Sequence, residues 1–169
     1  MRTRLTLGAW LCAAPLLFAQ SGTSGADILT FALDETPEQV TRLLGKPVQV
    51  ADAGPAYFSW SYQKDVSDLH EHSHLLMFRK SDNRLVSVTR NFHAPTSVDA
   101  LFPKNSSKTY SWPNEKEPQW QVRVWHLSGQ RIGIAMGVAQ SGDTTTQVLL
   151  IRRSALPAFL PWLAEQVLK

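Results

Sequence analysis

Residues 75–91 read LLMFRKSDNRLVSVTRN, and the fold class follows from them. Residues 75–80 are mostly apolar. Ser81-Asp82-Asn83-Arg84 is a run of turn formers, whose short polar side chains bond their own backbone. Residues 85–91 then return as a strand, with Val86 and Val88 expected inward and Arg90 on the same parity. A link this short joins antiparallel neighbours, because parallel strands need a crossover of a dozen residues or more. The stretch is therefore a hairpin, and the sheet built around it is mainly antiparallel.

Working outward, the period stays at two. Phe58, Trp60 and Tyr62 alternate with Ser59 and Ser61 ahead of the hairpin, with a polar loop expected over residues 64–73. Beyond it, residues 120–127 put Trp120, Val122 and Val124 on one parity. In residues 131–138, Ile132, Ile134, Met136 and Val138 alternate with Gly133, Ala135 and Gly137. Small side chains on one face predict a close neighbour there, or an apolar pocket. Residues 145–151 form the last strand, and Tyr110 and Trp112 hint at a further short one.

Helices bracket these strands. Thr36 can cap residues 37–44, Pro37 suits the first helical position and Gln39 completes a capping box. Val40, Leu43 and Leu44 form the apolar stripe, and Gly45 with Pro47 stops the helix. One helical turn fits residues 97–102, and an amphipathic helix with a proline-broken start fits 158–168. The expectation is an α+β fold: an antiparallel sheet of about six strands packed by N-terminal and C-terminal helices. Residues 28–169 form a single domain, or two α-β-β-β halves over 28–93 and 94–169. The second option rests on an echo at an offset of 58 residues. Val40-x-x-Leu43-Leu44-Gly45 matches Val98-x-x-Leu101-Phe102-Pro103, and coincidence is the favoured explanation, since short amphipathic helices share this spacing.

Composition bounds the function. The chain has 169 residues, 43% hydrophobic and 18% charged, enough for a real core. Residues 1–20 carry Arg2 and Arg4, then an apolar stretch, then Ala19, the layout of a secretory signal peptide shorter than a membrane span. Residues 21–27 read as a Gly/Ser linker. Without the leader, 15 basic residues face 14 acidic ones. That balance makes no case for nucleic acid. No stable membrane span is expected after the leader, and a periplasmic or secreted location is. Cys12, the sole cysteine, leaves with the leader, so disulfides and thiolate chemistry leave with it.

Chemical motifs are few. His70-Glu71-His72-Ser73-His74 satisfies His-Glu-x-x-His, which on a helix would aim two imidazoles at zinc with the glutamate as base. No helical period surrounds it. As a strand, it would instead project His70, His72 and His74 to one side, where they could ligate zinc or copper. A solvated loop without metal is the favoured alternative, so no cofactor is expected. Trp125 lies opposite Trp120 in parity and beside Arg123. An exposed Trp–Arg pair is contact chemistry for a partner, although cover by a helix or loop fits Trp125 slightly better. Trp60 and Tyr62 on the aromatic strand join them as candidate binding residues.

The run Thr36-Pro37-Glu38-Gln39-Val40-Thr41-Arg42-Leu43-Leu44-Gly45-Lys46-Pro47 resembles the helix signature of the SmpA/OmlA (BamE-like) family of small envelope proteins. That family shares its fold with the β-lactamase inhibitor protein. The resemblance covers about residues 33–92, including the aromatic strand and the hairpin. The family's lipidated cysteine has no counterpart, so its anchor is not implied. What is implied is an exported, non-enzymatic scaffold that binds an envelope or secreted protein through a sheet face and loops. The alternative is a metal-binding, even hydrolytic, protein that uses His70, His72 and His74.

Overall fold

The computed structural model describes residue 28 and residues 31–63, 72–102, 107–111, 120–139 and 143–169. The expected leader and linker, His70, Trp112 and residues 64–71 lie outside them. In chain order the elements are α1 (Pro37–Leu44), β1 (Gln49–Asp52), β2 (Tyr57–Gln63), β3 (His72–Arg79) and β4 (Arg84–Ser97). A 3-10 turn (Val98–Ala100) leads to β5 (Ser107–Ser111), β6 (Trp120–Leu127), β7 (Arg131–Ala139) and β8 (Thr144–Arg152). The chain closes with α2 (Leu156–Phe159) and α3 (Pro161–Val167).

The strands form one eight-stranded sheet in the order β1-β2-β3-β4-β8-β7-β6-β5. Every neighbouring pair is antiparallel. This corrects the expectation of about six strands packed by terminal helices: the sheet dominates, and the helices are short pieces of 8, 4 and 7 residues. The strands with the weakest signal lie at the two edges: β1 has none, and β5 has only the hint at Tyr110 and Trp112. β1 is Gln-Val-Ala-Asp and mostly exposed, and β5 is Ser-Lys-Thr-Tyr-Ser with the pattern of a solvated edge. An edge strand that faces water on both sides needs no apolar alternation, so the period-two signal is weak in β5 and lacking in β1.

Two further expectations change. Val86 and Val88 do not share a face. The β3–β4 register shifts between Met77 and Phe78, so that Phe78 pairs with Leu85 while Met77 pairs with Ser87. The extra residue in β4 is Val86, and a bulge reverses the parity on either side of it. Val86 accordingly packs on one face of the sheet and Val88 on the other. β4 also runs on through His93-Ala94-Pro95, past the end of the strand expected over residues 85–91. Its pairing with β8 is interrupted between Asn91 and Thr96, where a proline costs no ladder bond.

The local signals at α1 hold. Thr36 N–H donates to Gln39 Oε1 at 2.8 Å and Gln39 N–H to Thr36 Oγ1 at 3.4 Å. Gly45 takes a positive φ of 80° and its N–H donates to Thr41 O at 2.9 Å. The stripe, however, narrows to Val40, which is buried, and Leu44, which is half-buried; Leu43 faces solvent. The C-terminal helix is split because Pro161 has no N–H and biases Leu160 away from helical geometry, here φ −136° and ψ 70°.

Both sheet faces are buried over the centre. One carries Val40, Leu76, Phe78, Val88, Val98, Phe102, Trp125 and Leu150. The other carries Val122, Val124, Ile132, Ile134, Leu149 and Ile151 beneath Leu156, Leu163 and Val167 of α2 and α3. The small side chains of β7 have the close neighbour the pattern called for. A Cβ at Gly133 would stand 2.5 Å from Phe102 Cε1, and Phe102 stacks on Trp125 with ring centroids 4.6 Å apart. Gly133→Ala should therefore destabilise the protein by about 1–3 kcal/mol, read from the urea midpoint. Adding Phe102→Leu, whose shorter side chain can withdraw, should cost less than the two single changes together; strict additivity would rule out this contact.

Candidate functional site

The residues marked out by the sequence fall into three places. Trp60 and Tyr62 are half-buried on β2. Trp60 packs on Phe78 at 5.0 Å, and the Tyr62 hydroxyl donates to Gly45 O at 3.1 Å, tying the end of α1 to the sheet. Burial raises the Tyr62 pKa. Tyr62 thus holds the end of α1, while Trp60 packs within the aromatic cluster of β2 and β3.

Trp125 and Arg123 are adjacent, but Trp125 is only 1% exposed. It lies under Phe102, so the covered alternative describes it. Arg123 reaches across the sheet surface. Its guanidinium donates to Asp143 Oδ1 at 2.9 Å and to Ser107 Oγ at 3.0 Å, stands 3.8 Å from Asp99, and lies 5.3 Å from the Trp125 ring. One side chain thus straps the 3-10 turn, β5 and the start of β8 together. The parity rule missed this because it assigns one polar face, whereas both faces of β6 are covered. Trp125→Phe should leave the acrylamide-quenchable share of tryptophan fluorescence undiminished; a clear drop would place Trp125 in solvent.

The histidine run is partly visible. His70 lies outside the described residues. His72 starts β3, its backbone paired with Phe92, and His74 pairs with Tyr62 and Arg90. Both positions thus lie in a strand, the alternative to the polar loop expected through residue 73. The Nε2 of His74 accepts from Arg90 Nε at 2.8 Å, and the ring packs 5.6 Å from Phe31. Arg90 is itself buried. Among the described residues no group of three His, Cys, Asp or Glu side chains converges.

Two features went unmarked in the sequence. The first is an apolar ridge at the β1 edge. Leu43, Val48 and Val50 are 63%, 72% and 61% exposed, and among the described residues they are the large hydrophobic side chains left in water. They occupy the end of α1 and the adjoining edge strand. The ridge is anchored by the Tyr62–Gly45 bond and by Val48 N–H donating to Ser61 O at 2.9 Å. At its far end Asp52 accepts from Lys80 Nζ at 2.9 Å and from Gly54 N–H, which hold its carboxyl below the usual range. Periodicity could not reveal this ridge, since an exposed valine and a buried one look alike in sequence.

The second is a cationic end of the sheet. Arg131 and Arg152 face each other across β7 and β8. Asp34 pairs with Arg152, and its own carbonyl accepts from Arg84 at 2.8 Å. Asp34 holds a left-handed φ of 92° there. Beside it, Glu35 has a buried Oε2 without a hydrogen-bond partner among the described residues, and burial raises its pKa. A raised carboxyl supports the fold while protonated, and that support is lost as pH rises through its folded-state pKa. Glu35→Gln should therefore be more stable than the parent at pH 7, with the gap closing below the ordinary glutamate range. Urea melts at pH 7 and pH 3.5 would show it; an equal gap at both would exclude a charged Glu35 as the cause.

No family model and no curated protein matches the chain. Among solved structures it is similar to an extracellular protein containing an SCP domain from Bacillus anthracis strain Ames. That match has a TM-score of 0.52 and 9% identity, over 92% of this chain and 51% of that one. It is also similar to a cysteine-rich secretory protein from Staphylococcus aureus subsp. aureus Mu50, with a TM-score of 0.49 and 10% identity over 73% and 46%. The chain spans about half the length of these proteins, and at such identity the likeness is one of fold alone. The resemblance to the SmpA/OmlA (BamE-like) family over residues 33–92 is overturned: the solved structure that shares the fold is an extracellular protein containing an SCP domain. A capped helix, a glycine stop and a following proline are punctuation that many α-to-β junctions share.

Proposed function

We propose that this chain is an exported, non-enzymatic binding or assembly module acting on another envelope or secreted protein. The observation that carries this reading is the ridge of Leu43, Val48 and Val50 beside the open edge of β1. An edge strand offers unpaired backbone N–H and C=O groups, and a partner strand can add to it while its side chains cover adjacent apolar surface. The opposite edge is guarded: β5 carries exposed Lys108 among serines and threonine. Charge of that kind discourages pairing. Within β1 the sole charge is Asp52 at its end.

The centre of each sheet face is filled by the chain's own helices and turns, so contact shifts from face to edge. The leader-like residues 1–20 and the fold shared with an extracellular protein support work outside the cytoplasm. The test uses tagged protein lacking the leader, with Val48→Lys and Val50→Lys combined as the variant. Both positions are exposed, so the variant should melt close to the parent. A protein captured reproducibly from envelope or culture extract by the parent should be lost with the variant. Equal capture by both would sink the edge as the docking site.

A further inference from the structure

Beyond the docking edge, we infer that the gap where β8 parts from its two neighbours is a binding site for a neutral saccharide. A cavity of about 320 Å³ opens there, lined by Asn91, Phe92, Met136, Gly137, Thr146 and Gln147. That volume lies at the lower end of the range for small-ligand sites. The polar side chains of the lining are two amides and a hydroxyl, which both donate and accept and carry no charge.

Two irregularities in the sheet make the gap. On one side Asn91 pairs with Gln147 and Thr96 with Thr145, so Phe92, His93, Ala94 and Pro95 stand opposite Thr146 alone. On the other side Val138 pairs with Gln121 and Ala135 with Arg123, which leaves Met136 and Gly137 together opposite Val122. Gly137 takes a left-handed φ of 61° at this bulge. Met136 then packs on one face of the sheet and Val138 on the other, although they share a parity. Bulges re-aim side chains and are common beside active sites. Thr145, only 2% exposed, fixes the junction: its hydroxyl donates to Met136 O at 2.5 Å and accepts from Gln147 N–H at 3.0 Å.

The lining chemistry selects the ligand. Asn91, Gln147 and Met136 stand in register across β4, β8 and β7, and all three are half-buried. Gln147 Nε2 donates to Asn91 Oδ1 at 2.7 Å, and Asn91 Nδ2 donates to Ser73 Oγ at 3.5 Å. This chain orients both amides and leaves the Gln147 carbonyl, its second N–H and the exposed Thr146 hydroxyl without side-chain partners among the described residues. Sugar hydroxyls both donate and accept, and Met136 and Phe92 give apolar walls to the C–H faces of a ring. An ionic ligand would meet no counter-charge in the described lining. A wholly apolar ligand would cover the amides without bonding them, which is costly. A peptide cannot add here as a strand, because β4, β8 and β7 are all interior to the sheet.

The test titrates protein lacking the leader with cellobiose, maltose and diacetylchitobiose, each to about 50 mM, and follows amide NMR shifts. Sodium glucuronate serves as a charged sugar and tetra-alanine as a neutral peptide. Gln147→Met keeps the length of the side chain and removes its amide. Thr146→Val keeps the shape of an exposed side chain and removes its hydroxyl, so its melt should match the parent. That second variant keeps the experiment decisive where Gln147→Met folds poorly.

Saturable shifts with at least one of the three disaccharides, centred on the lining residues, support the site when binding weakens about tenfold in Gln147→Met and about threefold in Thr146→Val. The absence of saturation with all three overturns it. So do shifts that persist unchanged in both variants, and so does binding of glucuronate or the peptide in place of the disaccharides. Neither result bears on capture at the β1 edge, which involves none of these residues.

Discussion

The pairing of β4 with β8 is the constraint on which the molecule depends. Each half of the chain lays down a four-stranded meander, and the sheet order places β4 and β8 side by side at the junction. Along this seam Val88 faces Leu150, Thr89 faces Leu149 and Ser87 faces Ile151. Leu150 and Val88 are buried on one side of the sheet, Leu149 and Ile151 on the other. Burial on both sides explains why residues 148–151 of β8 read as a continuous apolar run and not as an alternating one. Each such side chain contributes about 1.5–3 kcal/mol when removed from water. Without the seam, each meander would expose these residues along an open edge.

The seam also fixes what the ends of the sheet can do. Because β4 and β8 occupy the middle, the outermost strands are β1 and β5, and these meet solvent. The chain leaves an apolar ridge at one edge and a lysine at the other, so the two edges differ in what they can accept. The same register brings the start of β4, the start of β7 and the end of β8 to one end, where Arg84 and Arg152 both bond Asp34 and Arg131 stands opposite Arg152. These arginines lie dozens of residues apart in sequence. Only strand pairing makes them neighbours.

Much of the chain was legible in advance. The capping box, the glycine stop, the turn at residues 81–84, the turn at 97–102 and the inner strands are local signals, written in adjacent residues. The close neighbour of Gly133 was also legible, although not its identity as Phe102. The edge strand β1, the bulge at Val86 and the identity of the cover over Trp125 were not. Each depends on a partner far along the chain: on Phe78 for the bulge, on Phe102 for the tryptophan. The 58-residue echo occupies an intermediate place. Val40 and Val98 are both fully buried, and each precedes the first strand of its own meander. One lies in an eight-residue α-helix and the other at a three-residue 3-10 turn, so what they share is a position ahead of a strand.

The sequence by itself determined the antiparallel class, the boundaries of α1 and the positions of the inner strands, because turn chemistry, capping and period-two patterning act within a few residues. Only the tertiary structure decided the strand order, the burial of Trp125, the exposure of Leu43, Val48 and Val50, and the convergence of the arginines. Those outcomes follow from which distant segments exclude water from one another, and apolar side chains carry no record of which partner will cover them.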